Sequence, residues 1–200
     1  MLRRLIADER LFSRGDPPSG LFAVLEGGVT IGAITETGKA TLLTVCEPPS
    51  WFGEVAVFDG APRTHDAAAE RPSLLLNLPQ TALDEILGRE PRYWRDLGRL
   101  LAVKLRLLFS AFEDLSAYPV AVRLARRLLW MAHGYGERRE HTQRVVEARQ
   151  EQLAAMLATS RQTANQLLKD LEAKGVLRLS YGQIEILDLE ALRRAAQMDQ

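Results

Sequence analysis

Glu151-Gln-Leu-Ala-Ala-Met-Leu-Ala-Thr-Ser-Arg-Gln-Thr-Ala-Asn-Gln-Leu-Leu-Lys-Asp-Leu-Glu-Ala-Lys-Gly175 is the stretch on which the reading of the whole chain turns. It predicts two short helices joined by a tight turn. In the first, Leu153, Met156 and Leu157 share a face at helical spacing; in the second, Ala164, Leu167, Leu168 and Leu171 do the same. Thr159 and Ser160 offer N-cap hydroxyls between the two, and Gly175 supplies the stop. The exposed opening of the second helix carries Ser160, Arg161, Gln162 and Asn165. Arginine pairs bidentately with guanine, and glutamine or asparagine with adenine. The pattern therefore fits a helix-turn-helix whose second helix enters the major groove of double-stranded DNA. An ordinary helical hairpin with a solvated polar face shares this local pattern, so the flanking segments must decide.

Downstream, Val176-Leu-Arg-Leu179, Tyr181-Gly182 and Ile184-Glu-Ile186 read as a hairpin, which makes the motif a winged one. Arg178, Ser180 and Tyr181 are placed either to touch phosphates or simply to face solvent. Upstream, a helix from Val120 to about His133 buries Val120, Leu124, Leu128 and Met131. Tyr118-Pro119 marks its start, because proline disfavours helix at the residue before it and readily begins a new one. Gly134-Tyr-Gly136 and the charged run Glu137-Arg-Arg-Glu140 read as a loop. Before these, from about Pro91, Leu97, Leu101, Leu105, Leu108, Phe112 and Leu115 recur at steps of three and four. They form an apolar seam along one long helix, suited to pairing with an identical helix in a homodimer, or else to packing on the chain's own N-terminal part.

The N-terminal part has a different period. Leu21-Phe-Ala-Val-Leu25, Val29-Thr-Ile31, Ala40-Thr-Leu-Leu-Thr-Val45 and Ser73-Leu-Leu-Leu-Asn-Leu78 read as strands. Gly15 to Gly20, Glu26-Gly-Gly28, Thr37-Gly38 and Glu47 to Ser50 read as the turns between them. Short strands of this kind predict a jelly-roll or barrel, for which about eight strands is usual. The fold class expected is α+β: a β-barrel over residues 1–90, a dimerisation helix over 91–118 and a winged helix-turn-helix over 119–200.

Composition narrows the function classes. No apolar run reaches the roughly 20 residues that span a bilayer, and the N-terminus has no signal-peptide core, so a cytoplasmic protein without membrane attachment is expected. A single cysteine, Cys46, rules out an internal disulfide and a four-cysteine metal site. Net charge is zero but unevenly divided: residues 120–200 hold 13 Lys and Arg against 10 Asp and Glu, and residues 1–119 hold 13 against 16. The C-terminal part is thus +3 and the N-terminal part −3. Such a small excess means that DNA affinity must come from local placement of charge rather than bulk.

The second informative segment is Trp51-Phe-Gly-Glu-Val-Ala-Val-Phe-Asp-Gly-Ala-Pro-Arg-Thr-His-Asp66. A Gly-Glu pair, a short apolar helical turn and then Pro-Arg-Thr bring a carboxylate and a guanidinium close together. The backbone amides of this turn, at Val55 and Ala56, together with Arg63 and the Thr64 hydroxyl, can hold a phosphate, while Glu54 can accept from a ribose hydroxyl. Without a ligand, Glu54 and Arg63 would instead pair with each other in the core. This segment resembles the phosphate-binding cassette of cyclic-nucleotide-binding domains. Barrel, long helix and winged helix-turn-helix in this order resemble the CRP/FNR family of bacterial transcription regulators across nearly the whole chain. The resemblance implies that Gly53 and Glu54 meet the sugar, that Arg63 and Thr64 meet the cyclic phosphate, and that Arg161, Gln162 and Gln166 contact bases. The wider DNA-facing set is then Thr159, Ser160, Arg161, Gln162, Thr163, Asn165, Gln166 and Lys169, with Arg178 on the wing. It also implies a homodimer, RNA polymerase as a partner, and a cyclic nucleotide such as cyclic AMP as effector.

Departures from the family pattern are informative. Aligned through Tyr118-Pro119, the positions where cyclic-AMP-responsive members carry Thr-Ser hold Leu108-Phe109, with Ser110 one residue on. Adenine loses its polar partners there, so cyclic AMP, another nucleotide and no ligand at all stand as alternatives. Gln162 and Gln166 replace the family's common Glu and Arg, which argues against the usual TGTGA half-site, because glutamine favours adenine. Ala158 stands where a turn glycine is frequent, a small cost if the backbone is left-handed. Met1-Leu-Arg-Arg4 leads almost directly into a strand, whereas family members have a further N-terminal helical stretch; either this start is native or residues precede it. Among other sensor types, an iron–sulfur cluster needs several cysteines. Haem needs axial ligands, and His65 is the one histidine in the barrel half, with His133 and His141 too far along. No metal, iron–sulfur cluster or haem is expected. Nor is enzymatic activity, since no nucleophile–base pair or metal-ligand spacing is present. A cupin-like metal enzyme would need a histidine cluster. A module whose helix-turn-helix packs on protein partners would not need Arg161, Gln162 and Asn165 together.

Overall fold

The structure, a computed structural model, describes residues 1–34, 40–134 and 144–198. The turn expected at Thr37-Gly38, the loop from Tyr135 to Glu140 and His141 lie outside the described residues. Two compact units divide the chain, Met1–Ala102 and Val103–Gln200.

In the first unit, six strands form one antiparallel sheet: β1 (Leu2–Leu5), β2 (Arg10–Phe12), β3 (Leu21–Ile34), β4 (Ala40–Cys46), β5 (Trp51–Phe52) and β6 (Asp66–Leu78). Its order is β1-β6-β3-β4, with β2 on β6 and β5 on β3. Six strands lie among the described residues, and one expected turn, Glu26-Gly-Gly28, is absent. That segment is no turn: β3 runs through it as a single 14-residue strand whose register against β6 shifts at Val24, Glu26 and Gly28. Bulges replace the turn, and side chains of β6 serve the displaced backbone. The Ser73 hydroxyl accepts from the Gly28 N–H at 3.0 Å, and Arg71 donates to the Gly27 carbonyl at 3.1 Å while pairing with Glu47 at 2.9 Å. Gly27 has φ +84°, and a Cβ there would overlap the Ser73 hydroxyl and the Pro72 carbonyl, so only glycine fits.

The face of this sheet carrying Phe22, Val24, Val29, Ala67, Ala69 and Leu75 is buried. Phe22 and Phe52 stack at 5.4 Å between centroids, with Phe12 tilted against both. Three helices complete the unit: α1 (Glu54–Asp59), α2 (Gln80–Arg89) and the first part of α3 (Arg92–Ala117). Leu21, Val57, Leu83, Leu87 and Leu97 close a second apolar cluster between them. The helix α2 has no counterpart among the sequence expectations. Along α3 the predicted seam divides: Leu97 is buried in the unit's own core, whereas Leu105, Leu108, Phe112 and Leu115 are exposed by about half or more.

The second unit holds the end of α3, then α4 (Val120–Ala132), β7 (Val145–Glu147), α5 (Gln150–Met156), α6 (Arg161–Ala173), β8 (Leu177–Ser180), β9 (Gln183–Ile186) and α7 (Leu189–Ala195). Leu124 and Leu128 of α4, Leu153 of α5, Leu168 of α6, Leu177, Ile186 and Leu192 are all fully buried in one cluster. The hairpin β8–β9 is extended by β7, which pairs antiparallel with β9. Both β7 and α7 are additions to what the sequence pattern predicts. Asp188 caps α7 through the Ala191 N–H at 2.9 Å. Among the described residues, no helix is long and apolar enough to cross a membrane.

Candidate functional site

The turn between α5 and α6 has a defined geometry. Ala158 adopts φ +52°, the left-handed conformation the sequence made conditional. The Thr159 N–H reaches back to Ala154 O at 2.9 Å and the Ala158 N–H to Ala155 O at 3.3 Å, the paired bonds that require a left-handed residue after a helix. Alanine holds that position at a steric cost glycine would not incur. The same device ends α6, this time with glycine: Gly175, at φ +71°, donates to Glu172 O and Val176 to Leu171 O. Ser160 is the cap of α6, its hydroxyl accepting from the Thr163 N–H at 3.0 Å and sharing a 2.8 Å contact with Thr163 Oγ1. Ser160 and Thr163 therefore have part of their hydrogen-bonding capacity committed to the helix start. Thr159 lies half-buried in the turn.

Arg161, Gln162, Gln166 and Lys169 line the exposed side of α6, opposite the buried Ala164, Leu168 and Leu171. Among the described residues, the side chains of Arg161, Gln162 and Lys169 make no hydrogen bond or ion pair, so their donors are available to an incoming partner. Gln166 differs, donating from Nε2 to Asp170 Oδ1 at 2.9 Å. Asn165 is half-buried rather than exposed as the sequence suggested, and its Oδ1 is buried without a partner. It lies one position from Ala164, on the flank of the helix that faces the core, which a reading by exposed opening alone could not resolve. On the wing, Arg178 pairs across the strands with Glu185 at 3.0 Å, so it does not stand free. Tyr181 at the tip is fully exposed beside Gly182 at φ +72°. The wing is tied to α6 by Glu172, whose Oε1 accepts from the Leu179 N–H at 2.7 Å.

In the first unit, the cassette is a strand–turn–helix. Gly53, at φ +97°, turns the chain from β5 into α1, and Gly60, at φ +65°, ends the helix. A Cβ on Gly53 would stand 2.9 Å from Arg63 Nη1, so the close approach of the arginine requires glycine. Glu54 and Arg63 are both buried, at 3% and 4% exposure, which is rare for these residue types unless they are partnered. Arg63 donates through Nη2 to Gly20 O at 2.8 Å and to the Ser19 hydroxyl at 3.1 Å, and through Nη1 to Gly53 O at 3.1 Å. Its guanidinium carbon lies 4.4 Å from the Phe12 ring centre. Its Nε is buried without a partner. Burial lowers the Arg63 pKa, opposed by the charges of Glu54 and Asp16, and the group remains a cation. The sequence pattern points to Arg63 but not to the Gly20, Ser19 and Phe12 that hold it, because they lie more than 40 residues upstream.

The remaining cassette residues are placed unequally. Val55 is exposed and Ala56 buried on α1; Thr64 is exposed, its hydroxyl sharing a 3.0 Å hydrogen bond with His65 Nδ1. Burial, and then the nearby Arg14, lower the His65 pKa, with Asp66 opposing, which favours the neutral ring. Leu108 and Phe109 are exposed on α3, at 58% and 59%.

A sheet unit with a glycine-turned, Glu- and Arg-bearing cassette, followed by a winged helix-turn-helix, defines a two-part class in which a cassette-bearing unit precedes a helix-turn-helix head. Known proteins agree on both halves. Residues 2–90 match the cyclic nucleotide-binding domain, and residues 122–195 match the Crp-like helix-turn-helix domain. The chain is 32% identical over 187 residues to a CRP-like cAMP-activated global transcriptional regulator of Mycobacterium tuberculosis, covering 93% of this chain and 84% of that one. It is 30% identical over 181 residues to the transcriptional regulator SdrP of Thermus thermophilus, covering 90% and 86%. The crystal structure of a CRP/FNR-family transcriptional regulator from Thermus thermophilus aligns over 100% of both chains, with a TM-score of 0.77 and 28% identity. This chain belongs to the CRP/FNR family: it is a DNA-binding transcription regulator and not an enzyme.

Proposed function

We propose that the chain is a homodimeric, sequence-specific regulator whose operator affinity is set by a cyclic nucleotide or similar effector held in its N-terminal unit. Residues 1–90 act as sensor, 91–118 as dimerisation helix and 119–200 as DNA-binding head, with RNA polymerase the expected partner at the promoter. The observation that carries the effector is Arg63. A buried cation with an unpartnered Nε–H, in contact with the left-handed Gly53 of the cassette, retains hydrogen-bonding capacity that an acceptor bound there could use. An anionic phosphate oxygen is such an acceptor, and Glu54 supplies the opposite chemistry for a sugar hydroxyl. Exposed Leu105, Leu108, Phe112 and Leu115 support self-pairing through α3, because a monomer that leaves this seam in water forfeits its burial. Effector binding would then favour one arrangement of the paired helices and so of the two recognition helices. Arg161, Gln162 and Gln166 would read bases, with Lys169 and Arg178 near phosphates.

A second reading rests on the same arginine. Three of its five N–H donors already go to Gly20 O, Ser19 Oγ and Gly53 O, so Arg63 serves the fold whether or not a ligand arrives. On this reading the head binds DNA without an effector. Calorimetric titration of the protein with cyclic AMP, cyclic GMP and cyclic di-GMP, repeated on Arg63→Ala with its fold checked by circular dichroism, separates the two. Saturable heat that vanishes in the folded variant supports a gated regulator. Operator binding without heat from any of the three supports the effector-independent one.

A further inference from the structure

The reading side of α6 is not uniform. Arg161, Gln162 and Lys169 have unengaged side chains among the described residues, whereas Gln166 is oriented in advance by Asp170, one turn further along. The 2.9 Å bond runs from Gln166 Nε2 to a carboxylate oxygen. A carboxylate accepts from the amide nitrogen and repels the amide oxygen, so the Gln166 amide loses its freedom to turn over. Oε1 and one N–H remain for a partner. One acceptor with one donor is the complement of adenine, which offers N6–H and N7, and not of guanine, whose O6 and N7 both accept. An unrestrained glutamine could turn its NH2 toward either guanine acceptor. Asp170 is exposed, and its side chain makes no other hydrogen bond or ion pair among the described residues. Its charge, on a helix that meets a polyanion, opposes binding in general.

We propose that Asp170 is a specificity-positioning residue: by fixing the Gln166 amide it makes the base facing Gln166 adenine rather than guanine, at the expense of overall affinity. The inference rests on α6 being the base-reading helix. The test is selection of operators from a randomised duplex pool by the full chain, with and without cyclic AMP, followed by competition among the four base pairs at each position. The proteins are the wild type, Asp170→Ala, Gln166→Ala, the double variant and Arg161→Ala. At one position per half-site, wild type should prefer adenine over guanine about tenfold or more. Asp170→Ala should reduce this to about twofold while tightening binding to non-specific DNA, the opposite of what a misfolded head would do. In the Gln166→Ala background, the same substitution should alter no preference. An unchanged preference in Asp170→Ala, or an equal change in both backgrounds, overturns the proposal. If Arg161→Ala and Gln166→Ala both leave every preference intact, the base-reading role of α6 itself fails and the proposal falls with it.

Discussion

Replacing Asp114 tests how the end of α3 is held to the DNA-binding head. Asp114 Oδ1 and Arg126 Nε lie 2.7 Å apart, with side chains only 8% and 16% exposed. Arg126 also donates from Nη1 to Ala196 O at 3.2 Å and lies 4.7 Å from the Tyr118 ring centre, so one guanidinium joins α3, α4 and the end of α7. Truncating one partner of a buried pair costs about 3–5 kcal/mol. In Asp114→Ala the cation retains Ala196 and the aromatic face, which reduces the expected loss to about 2 kcal/mol. Asp114→Asn should behave differently. Burial raises the Asp114 pKa above its ordinary 3.8, and the attraction of Arg126 does not fully reverse this. The folded protein therefore favours the neutral carboxyl more than the unfolded chain does. A neutral amide of the same shape should cost about 1 kcal/mol or less. The sign with pH follows: the stability linked to this group is fully present below the unfolded pKa and is lost as pH rises through the raised folded value. Wild type should thus gain on Asp114→Asn as the solution is acidified through the carboxylate range. Urea unfolding followed through Trp130, in a Trp51→Phe, Trp94→Phe background, reads the second unit alone. Equal losses in the alanine and asparagine variants, or a wild-type advantage that shrinks on acidification, would refute the reasoning.

Three further outcomes are expected. Ala158→Gly should stabilise the head by about 0.5 kcal/mol, because relief of roughly 1–2 kcal/mol of left-handed strain exceeds the entropy glycine loses on folding; a fall in urea midpoint would contradict it. Arg63→Met should lower the stability of the first unit by about 3 kcal/mol, since the carbonyls of Gly20 and Gly53 are left without their donor, and thermal unfolding should show it even without effector. Phe112→Glu, at a position 70% exposed on α3, should leave circular dichroism unchanged but turn a sedimenting dimer into monomer and weaken operator binding; an unchanged sedimentation coefficient would remove the seam from the dimer interface.

Much of the fold is written in local periodicity. The α4, α5 and α6 faces, the Pro119 boundary, the Ser160 cap and the Gly175 stop all follow from residues within four positions of one another, the range over which helical pattern acts. Glu26-Gly-Gly28 misleads because paired glycines signal a turn, whereas the groups that make a bulge there, Arg71 and Ser73, come from more than 40 residues away. The buried setting of Arg63 is hidden for the same reason, two of its three acceptors lying in the loop before β3. The short α7 and β7 gain their order from packing and pairing within the second unit, with Leu192 in the common core and β7 on β9. At the candidate site, residue identities were legible, but the competition for them was not: the bonds that engage Gln166, Arg178 and Arg63 exist only in three dimensions.

The two sides of α6 share no residues. Ser160, Ala164, Leu168, Leu171 and Gly175 shape and bury the helix, while Arg161, Gln162 and Gln166 point away from everything that holds it. Substitutions confined to such exposed positions usually change stability by no more than about 0.5 kcal/mol. If these exposed positions read bases, as proposed, the operator preference is free to be rewritten without disturbing the folding of the head. On that proposal, a duplicated copy could acquire a new set of promoters through a few changes on one helix face, and an engineer could redirect it by the same route while leaving the N-terminal unit untouched.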